Sequence, residues 1–387
     1  LTINKSQLSE KYMKKIVYPL IKPFVPQGAV SKIRNIIKSG WLTYGPYGRK
    51  AEDLIKKYIS APYAYLVNSA TSGLILALKA LGIKEKSKIA VVSFSFPATA
   101  NIVLLCRCQP VFVDIDLDTF NMSPSLLEET LKKDKKIKAV IFVSEFGNPY
   151  PVKKIAQITA KFGIALIEDA ACSFGASYQG KFSGTFGRAG VFSFHPRKII
   201  TCGEGGCIIV KNKTQAKTIE MWRNHGEYKH SFLGFGYNFR LSDIQAALLL
   251  EELKIVSKTI EKRRRLAFNY HRLLKPLEEE GLLKRPLEKP SSFSTYQSYV
   301  LLLNRRINRN RLKDFLYQEK IETQFGTYCI PYLPFYRRNF DVEKFCYKNA
   351  LFAYRHTLTL PLYHNLSFKE QKEIFERLKK YIYQCVQ

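Results

Sequence analysis

Nothing in this sequence of 387 residues approaches a membrane span. Crossing a bilayer takes about 20 consecutive apolar residues, and the richest stretches, AVIFV and AALLL, stop far short. Membrane insertion is not expected. The opening LTINKSQLSEKYMKK has no apolar core of the kind a secretory signal needs, so none is expected there. Cysteine is sparse and poorly spaced for metal: the eight, at positions 106, 108, 172, 202, 207, 329, 346 and 385, form no C-x-x-C. Cys106-x-Cys108 lies in an apolar stretch and is poor zinc spacing. Reduced thiols and a cytoplasmic location are the expectation. The string DIDLD (Asp114, Asp116, Asp118) opens like a calcium loop, but it lacks the glycine at the sixth position. Ser125 stands where the bidentate Glu belongs, so the string reads as the polar end of a strand and no metal is expected. No G-x-G-x-x-G follows the first strand pattern. GTFGRAG (184–190) has the wrong spacing and precedes a strand, which disfavours a NAD-linked dehydrogenase.

Acidic residues are also scarce. Thirty-two Asp+Glu face 62 Lys+Arg, a net charge of +30, which favours anionic partners. The basic residues are dispersed, and neither RNP-like aromatic interleaving nor zinc-finger or basic-zipper spacing appears. Nucleic acid is not expected; a phosphorylated small substrate is the better reading. The run Lys262-Arg263-Arg264-Arg265 reads as one solvated turn of a helix.

What is present is an ordinary globular composition, 46% hydrophobic and 24% charged, at a length that predicts two domains at about 100–200 residues each. Short apolar runs alternate with helical patterns: AYLVN (64–68), KIAVVS (88–93), PVFVDID (110–116), KAVIFVS (138–144) and IALIEDA (164–170). Ser123 is placed to N-cap the helix after the third. Near-continuous apolar strands separated by helices indicate a mostly parallel sheet covered on both faces. VFSFH (191–195) and GCIIV (206–210) are close enough to pair antiparallel. One long amphipathic helix is predicted from Leu241 to about Leu274, and a Pro- and Lys-rich loop (283–292) follows it. After the loop come a strand (296–303), a helix and a terminal helix from Ser367. The expected architecture is α/β: a large domain over 1–255 that includes the N-terminal segment, and a small C-terminal α+β domain over 256–387.

Three segments place reactive groups at predicted strand ends, where open α/β sheets bind ligands. Asn68-Ser69-Ala70-Thr71-Ser72-Gly73 puts small hydroxylated residues at a helix start, which reads as a phosphate site or as a plain N-cap. Ile167-Glu168-Asp169 ends an apolar strand with two acids, able to hold a ring nitrogen, a metal, a sugar hydroxyl or a cap. Phe192-Ser193-Phe194-His195-Pro196-Arg197-Lys198, with the glycines of the following Gly203-Glu204-Gly205-Gly206, brings a serine and a lysine to one edge. A phosphate loop, an Asp and a Lys are together what pyridoxal phosphate requires.

These segments, with SGWLTYGP (39–46), SFSFPATAN, QPVFVDIDLDTFNM, IEDAACSFGA, RNHG (223–226), GYNFRLSDIQAAL (236–248) and LTLPLY (358–363), resemble the DegT/DnrJ/EryC1/StrS family over almost the whole chain. Its members are sugar aminotransferases that depend on pyridoxal phosphate and have the type I, aspartate aminotransferase-like PLP-transferase fold. The resemblance implies that Lys198 forms the Schiff base and shuttles the proton, and that Asp169 pairs with the pyridine nitrogen. It implies further that Phe96 stacks on the ring, that Thr71, Ser72 and Ser193 bind the phosphate, and that Asn238 reaches it from the neighbouring subunit of a homodimer with shared active sites. Cys172 stands beside the cofactor where many members carry His or Gln, and Ser144 where many carry His. Tyr44, Tyr328 and Tyr332 fall where the family contacts the sugar nucleotide, and Arg240 lines the same interface; ordinary packing is an equal reading for all four. The implied reaction moves an amino group from L-glutamate to a ketosugar carried on a nucleotide diphosphate. Dehydratase-like sugar chemistry on the same fold, or a non-catalytic regulator, are the alternatives, and the presence of Lys198 and Asp169 argues against both.

Overall fold

The computed structural model describes residues 16–340 and 347–386; Cys346 and the opening LTINKSQLSEKYMKK lie outside the described residues. Seven strands form the main sheet: β1 Tyr63–Val67, β2 Lys88–Val92, β3 Gln109–Val113, β4 Ile137–Val143, β5 Ala165–Asp169, β6 Ala189–Ser193 and β7 Gly206–Val210. Their order is β1-β7-β6-β5-β4-β2-β3. The five neighbours from β6 to β3 pair in parallel, whereas β7 runs antiparallel to both β6 and β1. A 12-residue connection suffices for the β6–β7 reversal, while each parallel step needs a helical crossover.

Side chains alternate along each strand and feed two cores. Ile208 and Val210 join Val67 and Val191 on one face, and Cys207 and Ile209 join Leu66 and Phe192 on the other. The first face is covered by α3 (Ala70–Ala80) and by α4 (Ala98–Leu105), α5 (Pro124–Lys133) and α6 (Val152–Lys161), which follow α1 (Gly28–Ser39) and α2 (Pro46–Ile59) in the chain. The second face is covered by α2 and the first half of the long helix α8 (Asp243–Glu279), which comes after α7 (Lys213–Trp222). Ser123 sits at the N-cap position of α5, yet its hydroxyl meets Ser125 Oγ at 3.1 Å and makes no cap bond. Ser242 does cap α8, in a reciprocal box with Gln245.

Helix α8 is 37 residues long and serves both cores. Ala246, Leu249, Leu250, Leu253, Val256 and Ile260 pack with the main sheet, and Leu266, Ala267, Tyr270, Leu274 and Leu277 with the C-terminal core. That second core lies on a three-stranded antiparallel sheet of β8 (Leu283–Lys284), β9 (Tyr299–Leu303) and β10 (Thr357–Leu360), with α9 (Arg309–Gln318) and α11 (Phe368–Val386). Helix α10 (Lys348–His356) instead enters the first core through Ala350 and Ala353. Asp114, the first acid of DIDLD, accepts from its Asn349 and Ala350 N–H groups.

The basic run on α8 is not a solvated turn. Successive helical residues point about 100° apart, so four in a row cover every direction and at least one must face inward. Arg263 is buried and donates to the Tyr296 and Gln297 carbonyls. Arg264 pairs with Glu288 at 2.6 Å. No helix among the described residues is long and apolar enough to cross a membrane.

Two far-separated acids fix α2. Its N-cap residue Gly45 has no side chain to offer; Asp243 of α8 supplies the acceptor, taking the N–H groups of Gly45 (2.9 Å), Tyr47 (3.1 Å) and Gly48 (2.8 Å). Glu52 on α2 accepts from Arg223 at 2.7 Å, from the Leu66 N–H at 2.8 Å and from the Tyr44 hydroxyl at 2.6 Å. Arg223 lies between the rings of Tyr44 and Tyr65 and also donates to the Leu66 carbonyl.

Candidate active site

All the chemistry-bearing segments meet at one edge of the main sheet, where the parallel strands β2, β4, β5 and β6 end, β1 ends and β7 begins. Beyond β1, Ser69 caps α3, its hydroxyl accepting from Ser72 N–H at 3.1 Å and meeting Ser72 Oγ at 3.0 Å. Ser72 Oγ in turn donates to Asn68 Oδ1 at 2.6 Å. Thr71 lies partly buried in the first turn, beside N–H groups that helical bonding leaves free. Gly206 is required here: a Cβ on it would stand 2.6 Å from the Ala70 nitrogen.

Asp169 closes β5 with its carboxylate buried, accepting from Thr99 Oγ1 at 2.8 Å and from Ala171 N–H at 3.2 Å. Burial pushes its pKa up, against Thr99, Ala171 and Lys198, which favour the charged form. Glu168, its neighbour, points to the other face and takes the Gly184 and Gly187 N–H groups at 2.8 and 2.7 Å, a structural role. Lys198, on the loop after β6, donates from Nζ to Cys172 Sγ at 3.1 Å. Burial favours its neutral form, but Cys172, Asp169 and Glu145 together outweigh burial and hold the amine above its ordinary pKa. Burial likewise raises the Cys172 thiol, against Lys198, which favours the thiolate. Ser193 ends β6 and is buried, its hydroxyl accepting from His195 N–H at 3.4 Å.

Phe96 is 64% exposed, free to offer a flat face, and its ring meets that of Tyr328 at 6.3 Å. A short ladder between Phe94–Ser95 and Tyr328–Cys329 makes that approach possible. Lys198, Asp169, Cys172, Ser193, Ser72, Thr71, Phe96 and Tyr328 therefore share one edge. Tyr44 does not project freely there, because its hydroxyl donates to Glu52 and its ring lies under Arg223. Tyr332 packs on the first core. Arg240 donates to Asn224 Oδ1, and Asn238 is exposed, its backbone carbonyl 3.4 Å from Asn68 Nδ2. Ser144 joins a buried row of hydroxyls with Ser183 and Ser173.

Sequence reasoning missed Thr99 and Glu145. Both carried a signal: Thr99 lies in the quoted SFSFPATAN, and Glu145 directly follows an apolar strand, as Asp169 closes one. A half-buried amine, a buried carboxylate with two donors, and hydroxyls at a helix N-terminus form a donor set that fits pyridoxal phosphate.

The sequence profile of the DegT/DnrJ/EryC1/StrS aminotransferase family matches residues 27–379. An uncharacterized protein of Methanocaldococcus jannaschii is 31% identical over 94% of this chain and 97% of its own length. The UDP-4-amino-4,6-dideoxy-N-acetyl-beta-L-altrosamine transaminase of Campylobacter jejuni is 31% identical over 92% of this chain and 97% of that protein. Among solved structures, Helicobacter pylori PseC, an aminotransferase involved in the biosynthesis of pseudoaminic acid, superposes with a TM-score of 0.88 at 26% identity. That superposition covers 95% of this chain and 99% of PseC.

Proposed function

We propose, on the premise that this chain belongs to the DegT/DnrJ/EryC1/StrS aminotransferase family, that it transfers an amino group from L-glutamate to a ketosugar linked to a nucleotide diphosphate. The observation that carries the reading is that the Lys198 amine, bonded to Cys172, and the buried Asp169 carboxylate, bonded to Thr99 and Ala171, lie at the same sheet edge as the hydroxylated N-terminus of α3.

Pyridoxal phosphate, when bound, supplies an electron sink and the carbon that carries nitrogen between the two substrates. Lys198 would attach it and, once displaced by the incoming amine, hold and return a proton at Nζ. Asp169, oriented by Thr99 and Ala171, would keep a ring nitrogen protonated. Thr71, Ser72, Ser193 and the free N–H groups of α3 would hold the phosphate. Phe96 would cover the ring, with Tyr328 at its edge toward the sugar. Cys172 would keep Lys198 directed into the site. The basic surface suits a substrate bearing a diphosphate.

The same reading makes the enzyme a cytoplasmic homodimer, with Asn238 and Arg240 serving the partner's site. Its support is the apolar surface close to them: Trp41, Leu42, Phe232, Leu233 and Phe235 are each at least half exposed. Leu42 and Thr43 offer their carbonyls to the Asp243 N–H, three residues beyond Arg240. An apolar patch of that kind is covered in a stable soluble protein.

The test is the absorbance spectrum of protein loaded with pyridoxal phosphate, before and after L-glutamate. Conversion to the pyridoxamine form is expected. A lysine-bound spectrum unmoved by glutamate would remove the proposed donor, and failure to bind the cofactor at all would remove the function.

A further inference from the structure

Glu145 is the most conspicuous side chain that the reaction above leaves unused. It follows β4 in a 3₁₀ turn, Glu145–Gly147, and is only 3% exposed. The turn is anchored on every side. Asn121 Oδ1 accepts from the Glu145 N–H at 2.8 Å, and the Gly147 carbonyl takes Thr295 N–H at 3.1 Å and Ser294 Oγ at 3.0 Å. Phe146 is held at φ 56°, a conformation that costs free energy for a bulky residue and persists only where its surroundings impose it.

The direction of the carboxyl is therefore set by the fold. Ser144 N–H donates to the Asp169 carbonyl at 3.2 Å, and Val143 pairs in register with Asp169, so Glu145 leaves β4 beside Asp169 at the edge that holds Lys198 and Cys172. The other carboxyls here have their oxygens engaged: Asp169 by Thr99 and Ala171, Glu168 by two glycine N–H groups. Glu145 has the Ser95 hydroxyl, and its Oε1 is buried with no hydrogen-bond partner. A buried charged oxygen without a donor is strongly disfavoured, and a proton relieves it. Charge counting agrees. Two carboxylates around one ammonium would leave an enclosed site with a net negative charge, and Glu145, with fewer donors than Asp169, is where a retained proton sits best.

We propose that Glu145 is a positioning residue of this site: a buried carboxyl with one unpartnered oxygen that, once ionised, holds the proton on Lys198, so setting when that amine is free to react.

Burial pushes the Glu145 pKa up to about 8, with Ser95 opposing, Asp169 adding to the rise and Lys198 opposing. Below that value the side chain is neutral and leaves Lys198 to Asp169 and Cys172. Above it a second carboxylate faces the ammonium and stabilises it. The titratable groups facing Glu145 are Asp169 from β5, Cys172 from the following turn and Lys198 from the loop after β6.

The inference rests on Lys198 being the reacting amine. Its test is competitive acylation of Lys198 in the full-length, cofactor-free protein across the alkaline range, read on the Lys198 peptide by mass spectrometry. Glu145→Gln should lower the midpoint of Lys198 by about one pH unit, a roughly tenfold gain in free amine at a fixed pH below it. Glu145→Asp, which keeps a carboxylate, should restore most of the difference, as a merely structural role would not. Should Glu145→Gln fail to fold by circular dichroism, Glu145→Leu, an apolar side chain of similar size, takes its place with the same expected shift. A midpoint equal to that of the wild type in the folded neutral variant overturns the proposal. Borohydride reduction of wild-type protein treated with pyridoxal phosphate separates the two readings. Cofactor absent from Lys198 removes the aminotransferase reading, whereas cofactor on Lys198 with an unmoved midpoint removes the role of Glu145 alone.

Discussion

Removing Arg223 should loosen the end of β1 that leads into the Asn68–Ser72 turn. The guanidinium is buried; it donates to Glu52 at 2.7 Å and to the Leu66 carbonyl at 2.9 Å, with Tyr44 and Tyr65 rings on either side. Breaking a buried pair by deleting one partner costs about 3–5 kcal/mol, because a charge is stranded. Here Glu52 would keep two donors, Leu66 N–H and the Tyr44 hydroxyl, so Arg223→Met should fall at the low end, about 3 kcal/mol. Glu52→Gln in the same background removes the stranded charge, and the double variant should be less destabilised than the sum of the singles by about 2 kcal/mol. The only two tryptophans, Trp41 and Trp222, flank this network, so fluorescence during urea unfolding reports on it directly. Leu66 lies two residues before Asn68, and pyridoxal phosphate affinity should fall along with stability. A loss below about 1 kcal/mol, or additive singles, would refute the reasoning.

Two further outcomes follow from the geometry. Glu252, buried on α8 and bonded to the Thr201 backbone near Lys198, has its pKa pushed by burial from 4.5 to about 8. A raised carboxyl pKa means the folded state holds the proton more tightly, so the contribution is full below about 4.5 and lost as pH rises through about 8. Melting curves should show stability falling across that window, with Glu252→Gln removing a share on the order of 5 kcal/mol and flattening the slope. For subunit sharing, Asn238→Ala and Lys198→Ala proteins, each inactive or weak alone, should regain activity on mixing, and independent monomers by ultracentrifugation would contradict it.

How far the sequence revealed the structure depended on the range of the interaction. Strands β1 to β7 were legible because each is a short apolar run between helical patterns, and their observed limits differ from the expected ones by at most three residues. Asp169 and Lys198 were legible because strand ends in such sheets are where ligands bind. The long helix was found, but it begins at Asp243, where the Ser242 box caps it, and continues past Leu274 to Glu279. What stayed hidden was contact between distant residues. Arg263 could not be seen to meet the Tyr296 and Gln297 carbonyls, nor Tyr44 to be engaged by Glu52 and Arg223. Glu145 stayed hidden because its burial depends on distant partners of its turn, Asn121, Ser294 and Thr295.

The acceptors that hold α2 are a matter of timing as well as geometry. Its N-terminal N–H groups wait for Asp243, and its Glu52 waits for Arg223, 171 residues later in the chain. At about 5–20 residues per second, a ribosome needs roughly 10–30 s to make that partner. During that interval α2 has neither its cap nor its counter-ion, and only Leu66 N–H and the Tyr44 hydroxyl are at hand for Glu52. Synthesis therefore delivers the sheet before the element that seals its second face, and the nascent chain is most in need of protection between those two moments.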